Sequence, residues 1–338
     1  MSKLLPWHTS QWRELLQRKA ADRLPHALLC SGPAGLGKRQ FAEYFAQFLF
    51  CTVPTPEVSA CGICRSCRLF LAGNHPDYLR VEPAEEGKPI KVDQVRELVA
   101  FLGYTSQLGG YKIALLTPAE RMNLNAANSL LKTLEEPPGN SLLVLLSTAV
   151  AQLPATIRSR CQQLRFQLPP FEMALAWLQP RVSGNAALLL GLSGGAPLQA
   201  QAYADPVWLA HRRNLFETYC AVVTGQVDPV RAAEVWSKPD VAANLRCLIG
   251  WQMDMIRLKM MRDPPPHRLL NPDLRQALQG LAERWSPLWL FQRLDTLIRL
   301  HALCATQVNR PLLLEALLGD CADSQSGITA TGRSSIRC

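Results

Sequence analysis

Hydrophobic and polar positions follow two regimes along this chain. As far as about residue 168, short apolar runs alternate with helical repeats. "HALLCSG" (26–32), "DYLRVEP" (77–83), "YKIALLT" (111–117), "SLLVLLST" (141–148) and "CQQLRFQ" (161–167) read as five strands. Runs that are apolar at nearly every position belong to parallel strands covered on both faces. Between them, 38–50 sets Phe41, Phe45, Phe48 and Leu49 at helical spacing. Helices are also predicted over 92–102 and 125–136. Pro137 and Pro138 stop the last, since proline lacks the N–H a helix needs. Strands alternating with helices predict a parallel α/β sheet domain.

Beyond Pro170 the strand signals disappear. Residues 171–205 carry short helical patterns broken at Gly191 and "SGGAP", and 207–320 are helical throughout, with "RDPPPHRLLNP" (262–272) a loop. The closing "DSQSGITATGRSSIRC" lacks the apolar content to order itself. The expected class is therefore α/β plus all-α. An α/β domain spans 1–168, a small helical domain 169–206, a larger helical domain 207–320, and a disordered tail 321–338.

Composition changes this picture little. Of 338 residues, 48% are hydrophobic and 19% charged, which suits a globular chain of two or three domains. No apolar run approaches the roughly 18 residues that cross a bilayer, and Pro6 and His8 interrupt the start, unlike a secretory signal. A cytoplasmic protein with no membrane partner is expected. The net charge of +9 favours a polyanionic partner, because basic side chains displace counterions from phosphates.

Eleven cysteines in a reducing compartment point to metal or free thiols. Cys30, Cys161, Cys220, Cys247 and Cys304 lie in apolar segments and read as small core residues. Cys51, Cys61, Cys64 and Cys67 are different. Their spacing, C-x9-C-x2-C-x2-C, brings four thiolates together for tetrahedral Zn²⁺. Four protein ligands leave no open position, so the expected zinc is structural. Iron–sulfur clusters take four cysteines at other spacings. His75, next to Pro76, reads as a turn residue and not a ligand.

Between the first strand and its helix, "GPAGLGK" (32–38) has the G-x-x-x-x-G-K pattern of a phosphate-cradling loop. The candidate nucleotide-binding positions are Gly32, Pro33, Ala34, Gly35, Leu36, Gly37, Lys38 and Arg39. In the intact motif position 39 is Ser or Thr, whose hydroxyl binds Mg²⁺, and here it is Arg39. The third strand should end in an acidic pair that holds the metal and polarises water, but it ends in Thr117-Pro118. Glu120 follows a proline and is not expected to restore the site. Both metal-binding positions are lost, so no Mg²⁺ site and no hydrolysis are expected. Lys38 and the loop amides keep the means to hold phosphates. Two readings stay open: a cradle holding ATP or ADP, with Arg39 as a substitute charge, or a tight turn only.

"NSLLKTLEEPP" (128–138) and "TIRSRCQ" (156–162), with the loop and the cysteine cluster, resemble bacterial DNA polymerase III clamp-loader subunits of the AAA+ class. "LPHALLCSGPAGLGK", "GNHPDYLRVEP" and "VNRPLLLEALL" (308–318) extend the likeness over about residues 5–320. The resemblance implies five subunits in an open ring, motor and delta-type among them, that loads a sliding clamp onto primer–template DNA. C-terminal collar domains, here 207–320, would hold the ring, and 169–206 would be a lid. ATP sites at the interfaces would each be completed by an arginine from the neighbour, in a Ser-Arg-Cys motif. Here that motif is Ser159, Arg160 and Cys161, with Arg158 as the local alternative. A trans guanidinium neutralises charge on the transferring phosphoryl group.

The joint loss of metal groups implies a rigid, non-hydrolysing stator, a component of the DNA-directed DNA polymerase holoenzyme and no enzyme by itself. Pro197 in "SGGAPLQA" stands where motors carry a phosphate-sensing arginine, and Thr148 where a polar sensor follows the fourth strand. Two alternatives remain: an active AAA+ motor with unusual metal ligands, and a zinc-stabilised DNA-binding protein acting alone. Against the second, no basic cluster is interleaved with aromatics. Leu130, Leu131 and Leu134 form a core stripe. Lys132, Glu135 and Glu136 are left on a face that is either solvated or a subunit contact.

Overall fold

The structure, a computed structural model, describes residues 4–55, 59–85, 87–237, 241–303 and 310–323. It divides into two compact units, Met1–Met173 and Ala174–Cys338.

In the first unit α1 (Thr9–Ala20) precedes β1 (Ala27–Ser31) and α2 (Lys38–Phe50), and α3 (Arg65–Leu71) precedes β2 (Tyr78–Val81). Then come α4 (Val92–Gly103), β3 (Lys112–Leu116), α5 (Leu124–Glu135), β4 (Ser141–Ser147), α6 (Ala155–Arg158) and β5 (Gln162–Arg165). The five strands pair in parallel in the order β2-β3-β4-β1-β5. Every position of β1, β3 and β4 is buried. Successive side chains of a strand face opposite ways. Ala27 and Leu29 of β1 therefore join Leu143 and Leu145 of β4 in one core with Val95, Leu98, Leu130 and Leu134 from α4 and α5. On α2, Phe41, Phe45 and Phe48 are buried and meet Trp12 of α1 edge-on.

All five expected strands form, each one to three residues shorter than its predicted run. Three helices go beyond the sequence reading. α1 places Trp12 and Leu15 on one face, a helical signal inside the segment read only as a failed leader. α3 lies inside the cysteine stretch, and α6 is a single turn, too short for periodicity to register.

The second unit is helical, beginning within α7 (Phe171–Leu178), followed by α8 (Ala186–Leu192), α9 (Pro197–Ala202) and α10 (Pro206–Val223). α11 (Pro229–Trp236), α12 (Val241–Met260), α13 (Arg275–Glu283), α14 (Pro287–Leu303) and α15 (Arg310–Asp323) complete it. Its apolar residues form two clusters. Ala174, Leu178, Leu189, Leu190 and Ala200 make one. Tyr219, Trp236, Leu245, Trp251 and Leu317 belong to the other, larger one. The helix α15 runs to Asp323, with Cys321 fully buried, so the expected start of the tail at 321 is corrected. The Cys321 thiol donates to the Tyr219 hydroxyl at 3.8 Å, a buried role that the polar sequence after it concealed. Residues 324–338, and Cys304, lie outside the described residues. No described helix is long and apolar enough to cross a membrane.

Candidate functional site

Three assemblies in the first unit hold the sequence-predicted site residues. The first is the loop between β1 and α2. Gly32, Gly35 and Gly37 all have positive φ. A Cβ on Gly32 would meet the Phe166 carbonyl oxygen at 2.2 Å, so backbone contact itself demands glycine there. Lys38 opens α2 and is buried, and its Nζ donates to the carbonyls of Gly32 and Pro33, both at 2.6 Å. Burial holds the Lys38 amine below its usual value, partly offset by the negative field of Glu120. The Trp7 indole and the His8 ring both donate to the Leu36 carbonyl, at 3.0 and 2.7 Å.

Arg39, the residue after Lys38, is paired with carboxylates. Its guanidinium bonds Glu43 one turn on, at 3.0 Å, and Glu82 just past β2, at 3.1 Å. Two carboxylates therefore neutralise Arg39 in this arrangement. Thr117 and Pro118 follow β3, joined by a cis peptide. Glu120, set aside in the sequence reading because a proline precedes it, turns back toward the end of β4. It accepts from the Thr148 hydroxyl at 2.6 Å and the Thr148 amide at 2.9 Å. Burial works to raise the Glu120 carboxyl, yet the Thr148 and Ser147 hydrogen bonds bring it net below its ordinary value. Its other oxygen, Oε2, is buried with no hydrogen-bond partner among the described residues. Loop lysine, Glu120 and Thr148 thus converge, which no local sequence pattern announces.

The second assembly surrounds Arg160. The single turn α6 ends in the exposed Arg158, and Ser159 and Arg160 follow it. Ser159 Oγ donates to the Thr156 carbonyl. Cys161 sinks into the core, where burial pushes its thiol up to about 12, as it does for Cys30. Arg160 between them is 35% exposed at its side chain. Its Nε donates to Glu135 at the end of α5, 2.9 Å away, and its Nη1 to the Thr156 carbonyl at 3.0 Å. Of the face left open by the sequence, Lys132, Glu135 and Glu136 are all exposed.

In the third, the Sγ atoms of Cys51, Cys61, Cys64 and Cys67 all lie within 4.8 Å of one another. Tetrahedral Zn²⁺ with bonds of about 2.3 Å needs sulfurs ~3.8 Å apart, which this cluster reaches with little movement. Three backbone amides point at the sulfurs. Those of Cys61, Cys64 and Cys67 donate to Cys51, Cys61 and Cys64 at 3.3–3.4 Å. Such bonds favour the thiolate a metal requires. At Cys64 burial opposes ionisation, but the amide of Cys67 and the groups of Thr52 prevail and draw the thiol down to about 6. His75 lies outside the cysteine group and opens a turn, in which the Tyr78 amide donates to its carbonyl at 3.2 Å. Its ring is buried, stacks on Phe50 at 3.9 Å, and bonds the Ser66 hydroxyl at 2.7 Å.

A parallel sheet with a glycine loop at the end of its inner strand, a four-cysteine cluster beside it and a helical second unit defines a chain of the nucleotide-loop α/β class. Comparison with known proteins narrows the class. Residues 7–170 match the family model "DNA polymerase III, delta subunit", and 206–322 match "DNA polymerase III, delta subunit, C terminal". The delta-prime subunit of DNA polymerase III from Pseudomonas aeruginosa is 39% identical over 324 residues, 94% of this chain and 97% of that protein. The Escherichia coli K12 delta-prime subunit is 32% identical, over 93% of each. Among solved structures, a DNA polymerase III gamma subunit-related protein from Thermotoga maritima covers 92% of this chain and 98% of its own, at 16% identity and a TM-score of 0.48. The chain belongs to the delta-prime family of DNA polymerase III subunits.

Proposed function

We propose that this chain is the non-hydrolysing stator of a clamp-loader ring, and that Arg160 completes the ATP site of a neighbouring subunit. The observation that carries the reading is the condition of the chain's own loop. Lys38 is spent on the carbonyls of Gly32 and Pro33, Arg39 on Glu43 and Glu82, and β3 ends without acids. Phosphoryl transfer needs a bound metal and a group that orients the nucleophile. Among the described residues Glu120 is the carboxylate whose field reaches Lys38, and the motor alternative would have to give it both tasks. Its Oε1 is engaged by Thr148, which leaves the single oxygen Oε2 for both tasks, so the stator reading is preferred.

In this reading the partners are sister clamp-loader subunits, motor and delta-type, in a five-membered ring held by residues 207–320. The sliding clamp and primer–template DNA are met through the assembly. The four cysteines hold one structural Zn²⁺, which cross-links its module and supplies no chemistry. Whether ATP or ADP enters the loop does not alter the role, since neither would be hydrolysed there. The test is to purify the chain and assay it alone and in the ring. The isolated chain is expected to show no ATP turnover, and adding it to its sister subunits to raise theirs. Steady turnover by the isolated chain, abolished by Glu120→Gln, would establish the motor reading in its place.

A further inference from the structure

The helix α5 ends in a carboxylate pair, Glu135 and Glu136, where the negative pole of the helix makes acids unfavourable. A chain that places acids there must have a use for them or a cation against them. Glu135 has its cation 25 residues on. Arg160 lays its Nε–Nη2 edge on Glu135 Oε1, at 2.9 Å for Nε and 2.5 Å for Nη2. Its Nη1 bonds the Thr156 carbonyl at 3.0 Å.

Donor counting shows what this leaves. A guanidinium has five N–H groups. Nε–H goes to Glu135 and one N–H of Nη1 to Thr156, while Nη2 lies against Glu135 as an ion pair, so both terminal nitrogens keep an N–H to offer. These make up the planar fork that matches two oxygens of a phosphate. The anchor is itself fixed. The ring of His26, next to β1, donates to the Leu134 carbonyl at 3.0 Å, and the following prolines prevent α5 from continuing. Glu135 is thereby tied through His26 to the inner strand of the sheet, while the Arg160 side chain, two residues past α6, is long and partly exposed.

We infer that Glu135 is the positioning residue for Arg160: it holds the guanidinium edge-on from the end of α5, so that the free fork faces a phosphate presented by a neighbouring subunit. The inference rests on the trans-arginine reading of Arg160. It gives the "LEEPP" string a task in the same reaction as the "SRC" string. The energetics suit such a role. Both side chains are partly exposed, 35% and 51%, and surface pairs contribute little to folding. What the pair changes is the freedom of a long side chain, and a donor held in place before the reaction acts more strongly than one that must be ordered during it.

The test uses the full-length chain in the ring with its sister subunits, reading DNA- and clamp-stimulated ATP turnover. Arg160→Ala, Glu135→Ala, Glu135→Gln and the Arg160→Ala/Glu135→Ala double variant are compared, with urea unfolding of each isolated chain. Glu135→Ala is expected to cause at least half of the logarithmic loss in kcat caused by Arg160→Ala. KM for ATP and the urea midpoint should be nearly unchanged. Glu135→Gln, which keeps an acceptor oxygen for the Nε–H edge, should recover part of the loss. Glu135→Ala should cost nothing further once Arg160 is gone, because residues acting through one another are not additive. If Arg160→Ala leaves turnover intact, the trans-arginine reading itself fails. If Arg160→Ala lowers turnover but Glu135→Ala does not, or raises it, the positioning role fails alone. It fails likewise if Glu135→Gln is no better than Glu135→Ala, or if the double variant is slower than Arg160→Ala.

Discussion

His8 shows how much a single side chain can settle. Its ring is buried between Phe41 and Phe166, edge-on at 5.3 and 5.4 Å, and faces the Leu36 carbonyl at 2.7 Å. A carbonyl only accepts, so Nε2 carries the proton and the neutral ring satisfies the bond. Burial depresses the His8 value to about 4, against a weaker opposing pull from that carbonyl. Between about pH 4 and 6.5 the unfolded chain then binds the proton more readily than the folded one. Stability contributed here is present above 6.5 and is lost as the pH falls toward 4. His8→Gln keeps a donor and removes the titration. The advantage of the wild type over His8→Gln in urea midpoint, measured at pH 7, is expected to shrink at pH 5. An unchanged gap would mean that His8 is not held neutral.

At the scale of elements, the cysteine module is a small unit pinned at its far side by aromatics. Phe50 meets Phe70 at 5.8 Å, and Phe70 meets Tyr78 at 4.9 Å. The core that the sheet shares with α4 and α5 takes no residue from the module. Cys64→Ser should therefore abolish binding of one Zn²⁺ per chain by elemental analysis. It should speed amide exchange over residues 59–73 while leaving the amides of β1 and β4 protected. Zinc-free wild type, or collapse of the whole sheet in Cys64→Ser, would contradict this. The strands and the helices α2, α4 and α5 were legible because burial on fixed faces writes a period into the sequence. Four cysteines at metal spacing were legible for the same kind of reason: the chemistry needs particular residues close along the chain. What was not legible is whatever depends on chain reversal. Glu120 reaches Thr148 across 28 residues, Arg160 reaches Glu135 across 25, and neither spacing belongs to any local period. Arg39 pairs with Glu82, 43 residues away, a contact its place in the motif does not announce.

For the whole molecule, the account is that a chain can lose its own catalytic metal groups because its contribution is made at a neighbour's site. That divides two basic residues of the first unit by role. Lys38 serves only this chain's loop, while Arg160 is partly exposed on a short turn with two N–H groups to spare. The most direct measurement is ATP turnover by the assembled ring, stimulated by DNA and clamp, with Arg160→Ala or Lys38→Met in this chain. Both variants should assemble, since neither lies in the helical second unit. Arg160→Ala is expected to slow the one neighbouring site by about 10³-fold, the order supplied by a trans arginine, and to lower ring turnover by that site's share or more. Lys38→Met should leave ring turnover close to wild type. A ring that tolerates Arg160→Ala and is disabled by Lys38→Met would show this chain working as a motor, and the stator account would be wrong.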